Sequence, residues 1–162
     1  MTSKVVLLLG SNVGDKIAQL KFAIKEISLK IGIVSAKSAI YESAPWGEEK
    51  QPSFLNQVII VESDLLPFQI LEKTQAIEQK AGRIARGKWK MRELDIDILF
   101  YEDRVVNQEK LQIPHPYIQK RFFTLAPLFE IMPEFIHPII KKSISDLYNN
   151  CDKSLMVKKY EI

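Results

Sequence analysis

A chain of 162 residues has the length of one ordinary domain and can bury a continuous core without disulfide or metal staples. Hydrophobic residues at 46% and charged residues at 27% exclude a disordered or fibrous chain, and a net charge of +3 is too mild to demand nucleic acid while suiting an anionic small ligand. One cysteine, Cys151, excludes an intrachain disulfide framework, and no apolar run approaches the ~18 residues of a membrane span. The expectation is a soluble, cytoplasmic, monomeric protein, a single domain over residues 1–162, with no nucleic-acid or membrane partner.

Residues 5–9 read as an apolar strand stopped by Gly10, Ser11 and Asn12, after which Ile17, Leu20, Ile24, Ile27 and Ile31 recur at helical spacing. Residues 33–41 read as a second strand. Residues 42–53 then collect two prolines, a glycine and charges in a long loop, the kind that often carries function. Residues 54–62 resume a strand pattern. Pro67 suits a first helical turn, and Leu71, Thr74, Ile77 and Ala81 continue the helix to Gly82. Residues 94–101 alternate as a fourth strand, with Leu94, Ile96, Ile98 and Phe100 expected on one face. Short extended pieces follow around Val105 and Leu111, then short helices expected to break at Pro127, Pro133 and Pro138. The order β-α-β-β-α-β is that of an α+β, ferredoxin-like split βαβ fold, an antiparallel sheet with flanking helices.

Alternation puts Asp95 and Asp97 together on the face opposite the apolar one, with Cα atoms roughly 6.5 to 7 Å apart at a rise of about 3.3 Å per residue. Two carboxylates so close repel each other and favour a shared cation, and oxygen-only ligands favour Mg²⁺ over zinc. The ordinary alternative is a solvated strand edge, or pairing with Lys90 and Arg92. Arg83, Arg86, Lys88, Lys90 and Arg92 crowd the segment before this strand and supply donors for phosphate oxygens beside the metal. Metal and arginines together are what phosphoryl transfer requires.

The segment from Gly10 to Lys16 looks like a phosphate loop at a glance, but Asp15 stands where the second glycine belongs and Ile17 follows the lysine. It reads as a turn with Asp15 capping the helix. Trp46, Phe54 and Phe123 could grip a flat ring or belong to the core. His115, between Pro114 and Pro116, could face phosphate together with Arg121 or lie at the surface.

In order along the chain, Leu9-Gly10-Ser11-Asn12, Tyr41-Glu42-Ser43-Ala44-Pro45, Phe54-Leu55-Asn56, Gln75 with Glu78, Gly82-Arg83, Trp89, Arg92, Asp95-Ile96-Asp97-Ile98, Pro114-His115-Pro116, Arg121, Phe123 and Ala126-Pro127-Leu128 resemble the 6-hydroxymethyl-7,8-dihydropterin pyrophosphokinases of folate synthesis. The resemblance runs over about the first 138 residues. It implies transfer of the β,γ-diphosphate of ATP to the pterin 6-hydroxymethyl group, releasing AMP, with two Mg²⁺ held by Asp95 and Asp97 and with Arg83 and Arg92 in the catalytic set. By position, it implies a pterin ring between Phe54 and Phe123, read by Asn56 and by the backbone of Ser43, Ala44, Pro45 and Trp46. It places adenine and ribose near Leu71, Gln75, Ile98 and Leu111, and Arg83, Lys88, Trp89, Arg92, His115 and Arg121 at the phosphates or capping the site, Trp89 serving both substrates. The family's Trp-Gly-Pro-Arg stands here as Trp89-Lys90-Met91-Arg92, its second loop arginine is replaced by Ala85 followed by Arg86, and a common proline is Ala44.

Two other functions fit parts of the pattern. A ferredoxin-like sheet can bind RNA, although no strand carries the required aromatics and exposed aspartates repel phosphate. A palm-like sheet can transfer nucleotides by the same two-metal logic, releasing pyrophosphate instead of AMP.

Overall fold

A computed structural model of the chain describes residues 1–44, 51–82 and 93–161. Strand β1 (Ser3–Ser11) lies between β4 (Phe54–Ser63) and β5 (Asp95–Tyr101), antiparallel to both. Its apolar run is continuous because both of its faces are covered: Val5, Leu7 and Leu9 are fully buried on one side, and Val6 and Leu8 almost so on the other. Helices α1 (Lys16–Lys30) and α2 (Pro67–Lys80) pack on the first face, while α3 (Phe122–Ile131) and α4 (Ile144–Asn150) cover part of the second. The Asp15 carboxylate accepts from the Ala18 N–H at 3.1 Å, the helix cap expected of that turn. Gly82 ends α2 at φ +90°, a conformation that favours glycine.

The extended stretch expected over 33–41 is two strands, β2 (Ile33–Lys37) and β3 (Tyr41–Ser43), both paired to β4. Ser38 makes the break. Its N–H donates to the Val58 carbonyl at 2.8 Å, its Oγ accepts from the Val58 N–H at 3.0 Å, and its carbonyl accepts from Gln57 Nε2 at 2.8 Å. A side chain thus replaces one rung of the ladder and lets the strand turn.

The main sheet runs β5-β1-β4-β3-β8, with β2 also on β4, where β8 (Val157–Lys159) is a C-terminal strand that no sequence pattern announced. The pieces near Val105 and Leu111 form a separate hairpin, β6 (Val106–Gln108) and β7 (Leu111–Ile113).

Two further expectations are corrected. Helix α3 runs through Pro127 instead of breaking there, ending only before Pro133, with Leu125 and Leu128 fully buried. Burial of that face outweighs the one hydrogen bond the proline removes. Phe100 does not share a face with Leu94, Ile96 and Ile98. The register with β1 shifts between Val6, opposite Phe100, and Leu7, opposite Ile98, so Leu99 is an extra residue. This bulge turns Phe100 to the side of α3, against Ile118, Leu125 and Phe135.

Candidate active site

Below the bulge the alternation of β5 holds. Leu94, Ile96 and Ile98 are buried toward α1 and α2, and Asp95 and Asp97 stand half-buried on the opposite face. Asp95 is opposite Gly10 and Asp97 opposite Leu8 on β1, and those two residues lie opposite Asn56 and Val58 on β4. The carboxylates, Gly10 and Asn56 therefore share one patch of the sheet.

A β-carbon at Gly10 would come within 3.0 Å of Asn56 Oδ1 and 3.7 Å of the Phe54 ring, so the missing side chain leaves the space those two groups use. The Asn56 side chain is buried and donates from Nδ2 to Ser43 Oγ at 2.8 Å. One of the two Nδ2 hydrogens is engaged by Ser43, which orients the amide so that Oδ1 is the atom over Gly10.

Past β7 the chain returns to this face. The His115 N–H donates to the Leu99 carbonyl at 3.1 Å, and His115 Nδ1 accepts from the Tyr117 N–H at 3.2 Å. The proton of the neutral ring is thereby placed on Nε2. Burial and, after it, the charge of Arg121 push the His115 pKa down to about 4, against an upward pull from Asp95. Arg121 is 7% exposed, its guanidinium 5.0 Å from the centroid of the Tyr117 ring and 5.5 Å from that of Phe123. Burial lowers its pKa, and Asp97 and then Asp95 pull it back up. An arginine stays charged under such opposing influences, so the site carries a desolvated cation in the field of two carboxylates.

Among the described residues no group of three or more His, Cys, Asp or Glu side chains is placed to hold a metal. Asp95 and Asp97 are hard oxygen donors on their own, and Mg²⁺ is commonly held by one or two carboxylates together with substrate phosphates. The donor set fits that ion, hard carboxylate oxygens suiting Mg²⁺ better than the nitrogen- and sulfur-seeking zinc.

Of the residues expected at the nucleotide, Ile98 and Leu111 are buried in the apolar cluster under α1 and α2, and Leu71 packs against that same cluster. Gln75 is exposed on α2. Ser43, Ala44, Phe54, Asn56, Asp95, Asp97, His115, Arg121 and Phe123 gather on the other face or its rim. Pro45, Trp46, Arg83, Arg86, Lys88, Trp89, Lys90 and Arg92 lie outside the described residues.

Two groups near the site were given no role from sequence. Glu78 on α2 is 8% exposed, and its Oε2 accepts from the Ile96 N–H, between the two aspartates. Its helical spacing from Leu71 and Gln75 was the available signal. Asn12, fully buried, donates from Nδ2 to Gln51 Oε1 at 3.2 Å and to the Pro52 carbonyl at 3.1 Å, and Lys16 Nζ donates to the Ser53 carbonyl at 2.8 Å. The turn after β1 therefore anchors the chain entering β4.

Residues 6–133 match the family described as 7,8-dihydro-6-hydroxymethylpterin-pyrophosphokinase (HPPK). The 2-amino-4-hydroxy-6-hydroxymethyldihydropteridine pyrophosphokinase of Aquifex aeolicus (strain VF5) is 44% identical over 142 residues, 88% of this chain and 88% of that protein. The protein of that name from Methylorubrum extorquens is 40% identical over 135 residues, 83% of this chain and 85% of the other. A crystal structure of Plasmodium falciparum HPPK-DHPS, wild type with pterin and p-hydroxybenzoate, shares the fold with a TM-score of 0.76 at 20% identity. The match covers 92% of this chain, which spans 43% of the length of that larger one.

Proposed function

The chain belongs to the 7,8-dihydro-6-hydroxymethylpterin-pyrophosphokinase family, and from that premise we propose that its site moves the β,γ-diphosphate of ATP onto the hydroxymethyl group of 6-hydroxymethyl-7,8-dihydropterin, leaving AMP. The observation that carries the assignment to this face is the meeting of Asp95 and Asp97 with Asn56 and with the His115–Arg121 pair on neighbouring strands and turns. A hydroxyl oxygen of the acceptor bonds to the β-phosphorus, the bond from that phosphorus to the α,β-bridging oxygen breaks, and the hydroxyl proton is released.

Asp95 and Asp97 are the residues that would hold Mg²⁺, two ions on this reading, and bound metal supplies neutralisation of charge on the phosphate oxygens. Arg121, already desolvated, presents a fixed cation to the same oxygens with little reorganisation. Neutral His115 offers its Nε2–H as a donor without adding charge. Asn56 Oδ1 accepts from the donor edge of the pterin, with Ser43 holding the amide in place. Phe54 and Phe123 cover the ring faces, and Asp97 stands nearest the attacking oxygen. Leu71, Gln75, Ile98 and Leu111 take the adenosine, and Arg83, Lys88, Trp89 and Arg92 close over the phosphates.

The assay is incubation of the purified protein with ATP, Mg²⁺ and 6-hydroxymethyl-7,8-dihydropterin, followed by chromatography. AMP and the pterin diphosphate in equal amounts, dependent on all three components, are expected. Pyrophosphate in place of AMP would mean nucleotidyl transfer.

A further inference from the structure

The C-terminal segment beyond the family match returns to the edge of the sheet beside the residues assigned to the acceptor. Strand β8 pairs with β3 so that Val157 lies opposite Ser43, and Ser43 in turn lies opposite Phe54 on β4. Side chains in one such row project from the same face of a sheet, so Val157 sits in line with Ser43 and Phe54. The Ala44 N–H donates to the Met156 carbonyl at 3.0 Å, and the Tyr160 N–H donates to the Ile40 carbonyl at 2.8 Å, extending the contact past both ends of β3. A cavity of about 70 Å³ beside this seam is lined by Ser43, Ala44, Ser154, Leu155 and Val157 together with Phe123 and its neighbours.

We infer that residues 154–157 form one wall of the acceptor pocket and determine how tightly and in what orientation the pterin is held. The inference rests on the acceptor reading given above. Strand β3 is three residues long, and with β4 as its sole partner it would be a short edge strand with unpaired backbone groups. With β8 in place it is an interior strand, and Ser43, the residue that fixes the Asn56 amide, is held from both sides. The wall is remote from α2, Ile98 and Leu111, where the adenosine is assigned, so its influence falls on one substrate and not the other.

The test compares three proteins, wild type, Val157→Trp and Lys159→Gln, with a chain shortened after Cys151, measuring kcat and the KM for pterin and for ATP separately. Val157→Trp fills the cavity beside Ser43 and is expected to raise the pterin KM at least tenfold, with the ATP KM within twofold and kcat at saturation within threefold. Lys159→Gln changes an exposed side chain of the same strand that does not line the cavity and is expected to retain the wild-type pterin KM. The shortened chain is expected to show the same selective rise. Should it not fold, Val157→Trp decides alone. A pterin KM unchanged within twofold in Val157→Trp overturns the inference, as does an equal rise for both substrates, which would mark a merely structural strand. If the wild type itself forms no AMP from ATP and pterin, the underlying reaction fails instead, a result distinct from either.

Discussion

The Glu78 carboxylate accepts a 2.8 Å hydrogen bond from the backbone N–H of Ile96, the residue between Asp95 and Asp97. Strand β5 ends the order of the main sheet, with β1 as its neighbour there, so α2 supplies an acceptor to a backbone group on the strand's outer side. Replacing Glu78 by Ala leaves that buried N–H without this acceptor, at a cost of about 1–3 kcal/mol. The expected result is a lower melting temperature and, because the two aspartates lose their fixed spacing, a kcat reduced at least about tenfold, while Glu78→Gln retains an acceptor and most of both. Turnover measured at a temperature where every variant is folded checks it. Full activity in Glu78→Ala would show that the strand needs no such anchor.

Asp97→Ala removes one of two hard donors and reverses part of the charge balance around Arg121. Turnover is expected to fall by a factor on the order of a hundred to a thousand, with weaker Mg²⁺-dependent ATP binding and a preserved fold. Titration of the variant with Mg²⁺ and ATP, beside steady-state rates, is the measurement. Near wild-type activity would remove the metal assignment.

Gly10→Ala puts a methyl group 3.0 Å from Asn56 Oδ1. The amide must shift or lose its alignment with Ser43, and the expected outcome is a pterin KM raised about tenfold, equivalent to about 1.4 kcal/mol, with the ATP KM unchanged. Separate saturation curves for the two substrates test this.

The pH dependence follows from His115, whose pKa of about 4 in the folded protein is below the ordinary 6.5. Between those values the unfolded chain binds the proton and the folded one does not, so stability is lost as pH falls through that window. The loss from this group has a ceiling of about 3 kcal/mol. Urea unfolding at pH 7 and pH 4.5, without divalent cations, is expected to show it in the wild type and to show less in His115→Gln. Buried His137, also shifted down by desolvation, leaves some acid sensitivity in the variant. An imidazole signal for His115 that titrates near 6.5 would contradict the half-buried, neutral ring.

Much of the architecture was legible where a periodic pattern and its burial coincide. Strands β1, β4 and β5 and helices α1 and α2 form where Leu7, Leu20, Ile59, Ile77 and Ile96 recur at strand or helix spacing, because local propensity and core formation agree there. The pairing of Asp95 with Asp97 was legible for the same reason, two positions apart on a strand. The break at Ser38 and the bulge at Leu99 were not, since both depend on hydrogen-bond register with another strand, which no local pattern encodes. Strand β8 escaped notice because its three residues, half-buried Val157 and exposed Lys158 and Lys159, become a strand through the edge that β3 offers. The roles of residues 45–50 and 83–92 stand on sequence alone.

The extra residue at Leu99 also bears on how this strand can change over evolutionary time. Above it Phe100 faces α3, and Tyr101 reaches the Leu65 carbonyl at 2.8 Å; below it Asp95 and Asp97 face the acceptor side. Losing Leu99 itself would let Ile98 and Phe100 follow one another opposite Leu7 and Val6 in plain alternation, leaving the aromatic plug and both carboxylates on their present faces. Losing Ile96 instead would make the two aspartates adjacent and send them to opposite faces, so single-residue deletions in descendants of this sequence should be tolerated at the bulge and excluded between Asp95 and Asp97.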